Sequence, residues 1–287
     1  MKTHFQKITI IGVGLMGGSL ALAIKKSGLA GTVWGVDQQP DRLQKAVTRG
    51  AIDTYTCDVS EGVEGAALVV LATPVGMFES IMRQASSKLP PGCIVTDVGS
   101  TKAALVKQME QILPATVSFV GGHPIAGKEK SGIEAASGDL FKGARCILTP
   151  TPRTDRKALE KIKSFWEEVG SEVVMMEPVE HDRVLAAISH LPHIAAYALV
   201  NTALDLLNQN GKHLSFSGGG FKDFTRIAAS SPEMWRDICL HNSENIITTL
   251  EAFEATLGRI KRCIQNHDSG GLHQEFERAK KLREGIV

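Results

Sequence analysis

The run Ile8-Thr9-Ile10-Ile11-Gly12-Val13-Gly14-Leu15-Met16-Gly17 constrains this chain more than any other stretch. A β-branched strand pattern gives way within one turn to a helical one, and the glycines fall in the order G-x-G-x-x-G. Such a turn suits a dinucleotide. Gly12 permits the tight turn, Gly14 lets the backbone approach a pyrophosphate, and Gly17 lets helix and strand pack closely. The helix N-terminus then faces the phosphate charge. Asp37 follows twenty residues beyond Gly17, at the end of the next apolar run, where a carboxylate can accept hydrogen bonds from ribose hydroxyls. That carboxylate would repel a 2′-phosphate, so NAD is expected, while Arg42 and Arg49 nearby leave NADP open. The cofactor-binding candidates are therefore Gly12, Gly14, Leu15, Met16, Gly17 and Asp37. Thr73 and Pro74 join them, closing a later strand at the same edge, where their role is shape rather than chemistry. The bland alternative is a structural glycine turn followed by a surface aspartate.

Residues 8–178 alternate β-branched runs with amphipathic segments, the pattern of a mostly parallel sheet covered by helices. Strands are expected at 8–12, 33–37, 67–73, 93–98, 118–120, 145–149 and 172–176. Helices are expected near 17–27, 41–49, 76–88, 101–112 and 155–169. After Pro178 the texture turns helical, over 180–207, 231–262 and 273–284. The fold class is thus α/β: a Rossmann-like domain over residues 1–178, then an all-helical domain over 179–287. The first helix of the second domain is apolar on nearly every face, which predicts that a second copy wraps it. A homodimer built through the C-terminal half is the expectation, with Gly218-Gly219-Gly220 read as a loop.

A length of 287 residues also favours two domains. Hydrophobic residues at 43% and charged residues at 22% match a globular protein and argue against long disorder. A net charge of +1 with no basic block gives nothing to attract nucleic acid or an anionic membrane, so a small-molecule partner is expected. The five cysteines are scattered, with no CxxC pair for a metal, and read as reduced packing residues of a cytoplasmic protein. Lys2 and Lys7 ahead of an apolar run ending in Ala21-Leu22-Ala23 resemble a secretion signal. Cleavage there would discard the strand and glycine turn, which favours the folded reading. The other long apolar run, 184–204, carries His190, Pro192, His193 and Asn201, and reads as a buried, kinked helix rather than a membrane span.

His123 stands out among nine histidines because of Gly121-Gly122-His123-Pro124-Ile125-Ala126-Gly127. A strand is expected to deliver it to a braced loop at the carboxyl edge of the sheet. There an imidazole could accept a hydroxyl proton near neutral pH while hydride leaves the same carbon. A turn or packing histidine is the plainer reading. Arg226 could grip a carboxylate with two parallel donors, or pair with Asp223.

In order, G-x-G-x-x-G, Asp97-Val98-Gly99-Ser100-Thr101-Lys102, Gly122 to Gly127, Ser189-His190-Leu191-Pro192-His193 and Asp223-Phe224-Thr225-Arg226-Ile227-Ala228 resemble the prephenate and arogenate dehydrogenase family. The resemblance spans nearly the whole chain. It implies NAD-dependent oxidation of the ring carbinol of prephenate with loss of carbon dioxide, giving 4-hydroxyphenylpyruvate in tyrosine biosynthesis. By that similarity His123 takes the hydroxyl proton, and Ser100 bonds the same hydroxyl or orients the imidazole. Arg226 binds a carboxylate, His193 touches the substrate, and Glu129 stands at the pocket mouth. His190 either joins them or is a satisfied core residue. Lys128 departs from the small residue expected there. Trp235 and Arg236 match the helix after the arginine motif, and packing is their expected job. The chain ends soon after the helical segments, so any tyrosine feedback is expected at or near the active site.

Two rivals carry different expectations. A 3-hydroxyacid or 6-phosphogluconate type dehydrogenase would need a proton-handling lysine early in 182–207, where none stands. An NAD-sensing regulator without turnover would need neither a placed histidine nor a placed arginine.

Overall fold

Local chemistry decides most of the N-terminal half. The computed structural model describes residues 4–127, 130–207 and 211–285. Its first half runs β1 (Phe5–Ile11), α1 (Leu15–Ser27), β2 (Ala30–Val36), α2 (Pro40–Thr48), β3 (Thr54–Thr56), α3 (Val59–Val63), β4 (Leu68–Leu71), α4 (Phe78–Ala85), β5 (Ile94–Asp97) and α5 (Ala103–Ile112). It continues with β6 (Ser118–Pro124), β7 (Arg145–Thr149), α6 (Arg156–Glu168) and β8 (Glu172–Met175). The strands form one sheet in the order 3-2-1-4-5-6-7-8. The first six are mutually parallel, β7 runs antiparallel to β6, and β8 runs parallel to β7. Strand order reverses between β1 and β4, and such a switch point opens a crevice at the carboxyl ends of the strands. β3 was not foreseen, because Thr54-Tyr55-Thr56 has no apolar run to announce it.

Each face of the sheet carries its own core. Leu20, Ile24, Phe165 and Trp166 cover one face from α1 and α6. Phe78, Met82, Leu105 and Met109 cover the other from α4 and α5.

One expectation is corrected in β6. His123 lies inside the strand, not on a loop after it. Pairing with β5 stops at Val120, and Gly121 to Pro124 then pair with β7, so β6 outruns its neighbour and carries His123 past the edge. A Cβ on Gly122 would stand 2.9 Å from the Asp97 carbonyl oxygen, so this crossing admits glycine alone.

The helical half comprises α7 (Pro178–Leu185), a π turn (Ala186–His190), α8 (Leu191–Leu206), a 3-10 turn (Gly211–Phe216), α9 (Gly219–Thr225) and a second 3-10 turn (Arg226–Ala229). α10 (Pro232–His241), α11 (Ser243–Gln265) and α12 (Ser269–Glu284) follow. The expected helix over 231–262 breaks at Asn242. The glycine triplet is not a loop throughout: Gly218 precedes α9, and Gly219 and Gly220 begin it. The expected kink is the π turn, and Pro192 explains it, since its ring clashes with the Ile188 carbonyl and supplies no N–H.

The expected burial of this helix is not met within one chain. Ala196 is the buried residue of α8, while Ile188 is 69% and Leu206 77% exposed. By length and composition alone, the 29-residue stretch Pro178–Leu206 could cross a membrane.

Candidate active site

At the cofactor edge, Gly12 adopts φ +94°, and a Cβ there would lie 2.7 Å from the backbone of Ala72 and Thr73. A Cβ on Gly17 would collide with the Gly12 carbonyl oxygen and Ile10. Gly14 differs, having nothing within 4 Å of that position. It caps α1 without a side-chain hydrogen bond, and among the described residues no side chain satisfies the first-turn N–H groups of Leu15, Met16 and Gly17. An open, uncapped helix N-terminus at a switch point is a fit for a pyrophosphate.

Asp37 is buried, and its carboxylate ties the end of β2 to the glycine turn. Oδ2 accepts the Val13 N–H at 3.1 Å, and Oδ1 accepts the Gln39 N–H at 3.0 Å. Arg42 Nη1 donates to Oδ2 at 3.0 Å, so a ribose would share this carboxylate with the guanidinium. The Thr73 backbone stands beside Gly12 just past the end of β4, and Pro74 follows it in the chain. These residues fit the adenosine and pyrophosphate of NAD.

His123 is 8% exposed, and its Nδ1 lies 2.8 Å from His181 Nε2. His181 Nδ1 lies 2.8 Å from Asp182 Oδ1. Asp182 in turn accepts the backbone N–H of Lys102 at 2.7 Å and of Ala103 at 2.8 Å, capping α5 from the helical half. Burial, then the positive fields of His181, Lys102 and His190, hold the His123 imidazole well below its usual range, so it is neutral near pH 7. Burial also lowers His181, outweighing the opposite pull of Asp182.

Ser100 is half-buried between β5 and α5, in a loop wrapped round the Lys102 ammonium. His190 is fully buried, accepts from Asn242 Nδ2 at 3.2 Å and meets Trp235 edge-on, the surroundings of a core residue. Burial drops it to about 4. His193 is half-buried, stacked on Trp235 at 4.0 Å between ring centroids, with Nδ1 donating to the Ser189 carbonyl at 2.9 Å. Arg226 is exposed and opens the 3-10 turn that packs along α8, where Tyr197 donates to the Ser230 carbonyl at 2.8 Å. Glu129 and Lys128 lie outside the described residues. Trp235 is buried as expected of a packing residue. Among the cysteines, Cys93 and Cys146 are buried, and burial pushes the Cys93 thiol up to about 12. Cys57 is exposed, which corrects its reading as a packing residue.

Two family models match the chain. Residues 20–175 match the nucleotide-binding domain of prephenate dehydrogenase, and residues 177–278 match its dimerization domain. The chain belongs to the prephenate dehydrogenase family. It is 40% identical to the prephenate dehydrogenase of Bacillus subtilis (strain 168), over 97% of this chain and 76% of that protein. It is 34% identical to the cyclohexadienyl dehydrogenase of Zymomonas mobilis, over 98% of this chain and 96% of that one. A crystal structure of prephenate dehydrogenase from A. aeolicus, in complex with hydroxyphenyl propionate and NAD+, aligns with a TM-score of 0.90 at 42% identity, covering 98% of each chain. The α/β nucleotide-binding half followed by a helical half is thus the architecture of the family.

Sequence reasoning missed His181, Asp182 and Asn242, which surround His123 and His190 from the helical half. The adjacent His-Asp pair three residues after Pro178 was the available signal. It was hidden because nothing local ties it to a strand 58 residues earlier.

Proposed function

We propose that this protein oxidises prephenate with NAD, releasing carbon dioxide and 4-hydroxyphenylpyruvate. The observation that carries the reading is a neutral, buried His123 at the carboxyl edge of a switch-point sheet, in a chain whose two halves both match this family. NAD supplies the hydride acceptor when bound against the glycine turn and Asp37.

The protein's own part is proton transfer, charge placement and exclusion of water. His123 takes the proton of the ring hydroxyl as the carbinol is oxidised, help that typically contributes about 100- to 10,000-fold. Ser100 bonds the same hydroxyl from the loop after β5. Arg226 fixes a substrate carboxylate, and His193, held rigid by Trp235 and the Ser189 carbonyl, presents Nε2 to the substrate. Glu129 stands at the mouth of the pocket. Loss of carbon dioxide restores aromaticity, which makes the step irreversible.

The nucleotide-binding domain passes into the helical domain at residues 178–179, at the start of α7. A second copy covers the apolar face of α7 and α8, giving a homodimer in keeping with the matched dimerization domain. Five free cysteines suit a reducing compartment and support a cytoplasmic protein.

The alternative substrate is arogenate, favoured by the near full-length similarity to a cyclohexadienyl dehydrogenase. Steady-state rates with prephenate and arogenate, each with NAD and NADP, decide between them. NADH formation with prephenate supports the proposal, and turnover of arogenate alone overturns it.

A further inference from the structure

We infer that His181 and Asp182 are positioning residues that set the tautomer of His123, making Nε2 the atom that takes the substrate proton. The inference rests on the proposed role of His123 and adds to it two residues from the other half of the molecule.

Two groups at the start of α5 have fixed roles. The backbone N–H groups of Lys102 and Ala103 can only donate, and they point at Asp182 Oδ1 and Oδ2 at 2.7 and 2.8 Å. Asp182 is therefore an acceptor on both oxygens. His181 Nδ1, 2.8 Å from Oδ1, must donate to it. A neutral imidazole protonated on Nδ1 has a bare lone pair on Nε2. That lone pair sits 2.8 Å from His123 Nδ1, which must therefore carry the proton. His123 is left with its own lone pair on Nε2, facing away from His181.

Free imidazole side chains in water favour the opposite tautomer, so a chain of three hydrogen bonds is needed to hold this one. Burial of His123, His181 and Asp182 keeps water from substituting for any link. The titratable and charged groups around the pair are Lys102, whose ammonium is taken up by Asp97, the Asp182 carboxylate itself, and the neutral His190. In the reaction the substrate O–H bond breaks and an N–H bond forms at His123 Nε2. His181 and Asp182 keep their own proton arrangement and spread the new positive charge towards a carboxylate, much as a buried acid orients the histidine of a hydrolytic triad. Because α7 supplies both residues and β6 supplies His123, the base is correctly protonated only when the two halves are docked.

The test is nitrogen NMR on the intact protein labelled with 15N-histidine, without substrate, with His123 assigned by its loss in His123→Asn. The expected result is protonation at Nδ1 and a bare Nε2. A His123 protonated at Nε2 overturns the inference. Asp182→Asn offers an amide N–H to His181, which inverts both rings, so the His123 signal should switch and kcat fall about 1,000-fold or more with NAD affinity unchanged. This variant also sets an amide against the α5 N–H groups, so His181 provides a second pair. In His181→Gln the amide oxygen can still accept from His123 Nδ1, and the tautomer and most of the activity should survive. In His181→Ala both should be lost, with kcat down at least about tenfold. A purely structural role would leave the His123 signal unmoved in every variant, and that outcome also sinks the inference. The NMR result is independent of which substrate the enzyme uses.

Discussion

Lys102 Nζ lies 2.6 Å from Asp97 Oδ2, and both side chains are fully buried. Every donor of the ammonium is used, since it also reaches the carbonyls of Gly99 and Thr101 at 2.7 and 3.0 Å. Asp97 is equally committed, accepting the Gly99 and Gly122 N–H groups at 2.8 and 3.0 Å. The segment bearing Ser100 is thus folded round an internal cation, and its partner Asp97 reaches across to Gly122 on the strand bearing His123.

Removing one partner of such a pair strands the other charge in a dry site. Lys102→Met should lower the unfolding free energy by about 3–5 kcal/mol. Denaturant titration measures this, and a change below about 1 kcal/mol would mean that the loop does not depend on the pair.

His123→Asn should lower kcat by about a hundredfold or more while NAD binds nearly as before. Cofactor fluorescence and steady-state rates separate the two quantities. Undiminished turnover would remove His123 from the chemistry.

Arg226→Ala should raise the Michaelis constant for prephenate by about 10- to 150-fold, the span of about 1.5–3 kcal/mol for hydrogen bonds to a charged group. An unchanged constant would refute the carboxylate role.

Asp37→Ser removes the carboxylate that holds Val13 and Arg42 at the glycine turn. Affinity for NAD should fall about tenfold or more, and the preference over NADP should narrow as Arg42 is released. Equal loss with both cofactors would show that Asp37 only braces the turn.

Burial drops His190 from 6.5 to about 4 in the folded state. The unfolded chain then binds the proton more tightly, so this contribution to stability is fully present above about pH 6.5 and is lost as pH falls towards 4. The stability difference between the wild type and His190→Phe should therefore shift against the wild type on acidification. A difference flat between pH 7 and 4.5 would show that His190 does not titrate this way.

The glycine turn, Asp37 and the order of the large strands were legible because each is written in consecutive residues. G-x-G-x-x-G encodes a positive φ and a close contact locally, and β-branched runs flanked by breakers announce buried parallel strands. β3 was too short and too polar to announce itself. His123 was singled out by the glycines before it, yet its place inside β6 depends on β7, which arrives some twenty residues later.

The sequence by itself determined the Rossmann-like half, the helical half and the family, since periodicity and motif order survive without coordinates. Tertiary structure alone decided what surrounds His123. His181 and Asp182 reach it only when α7 docks on the start of α5, through two backbone N–H groups that have no sequence signature. Hydrogen bonds between remote segments depend on where the chain returns in space, and no local pattern records that.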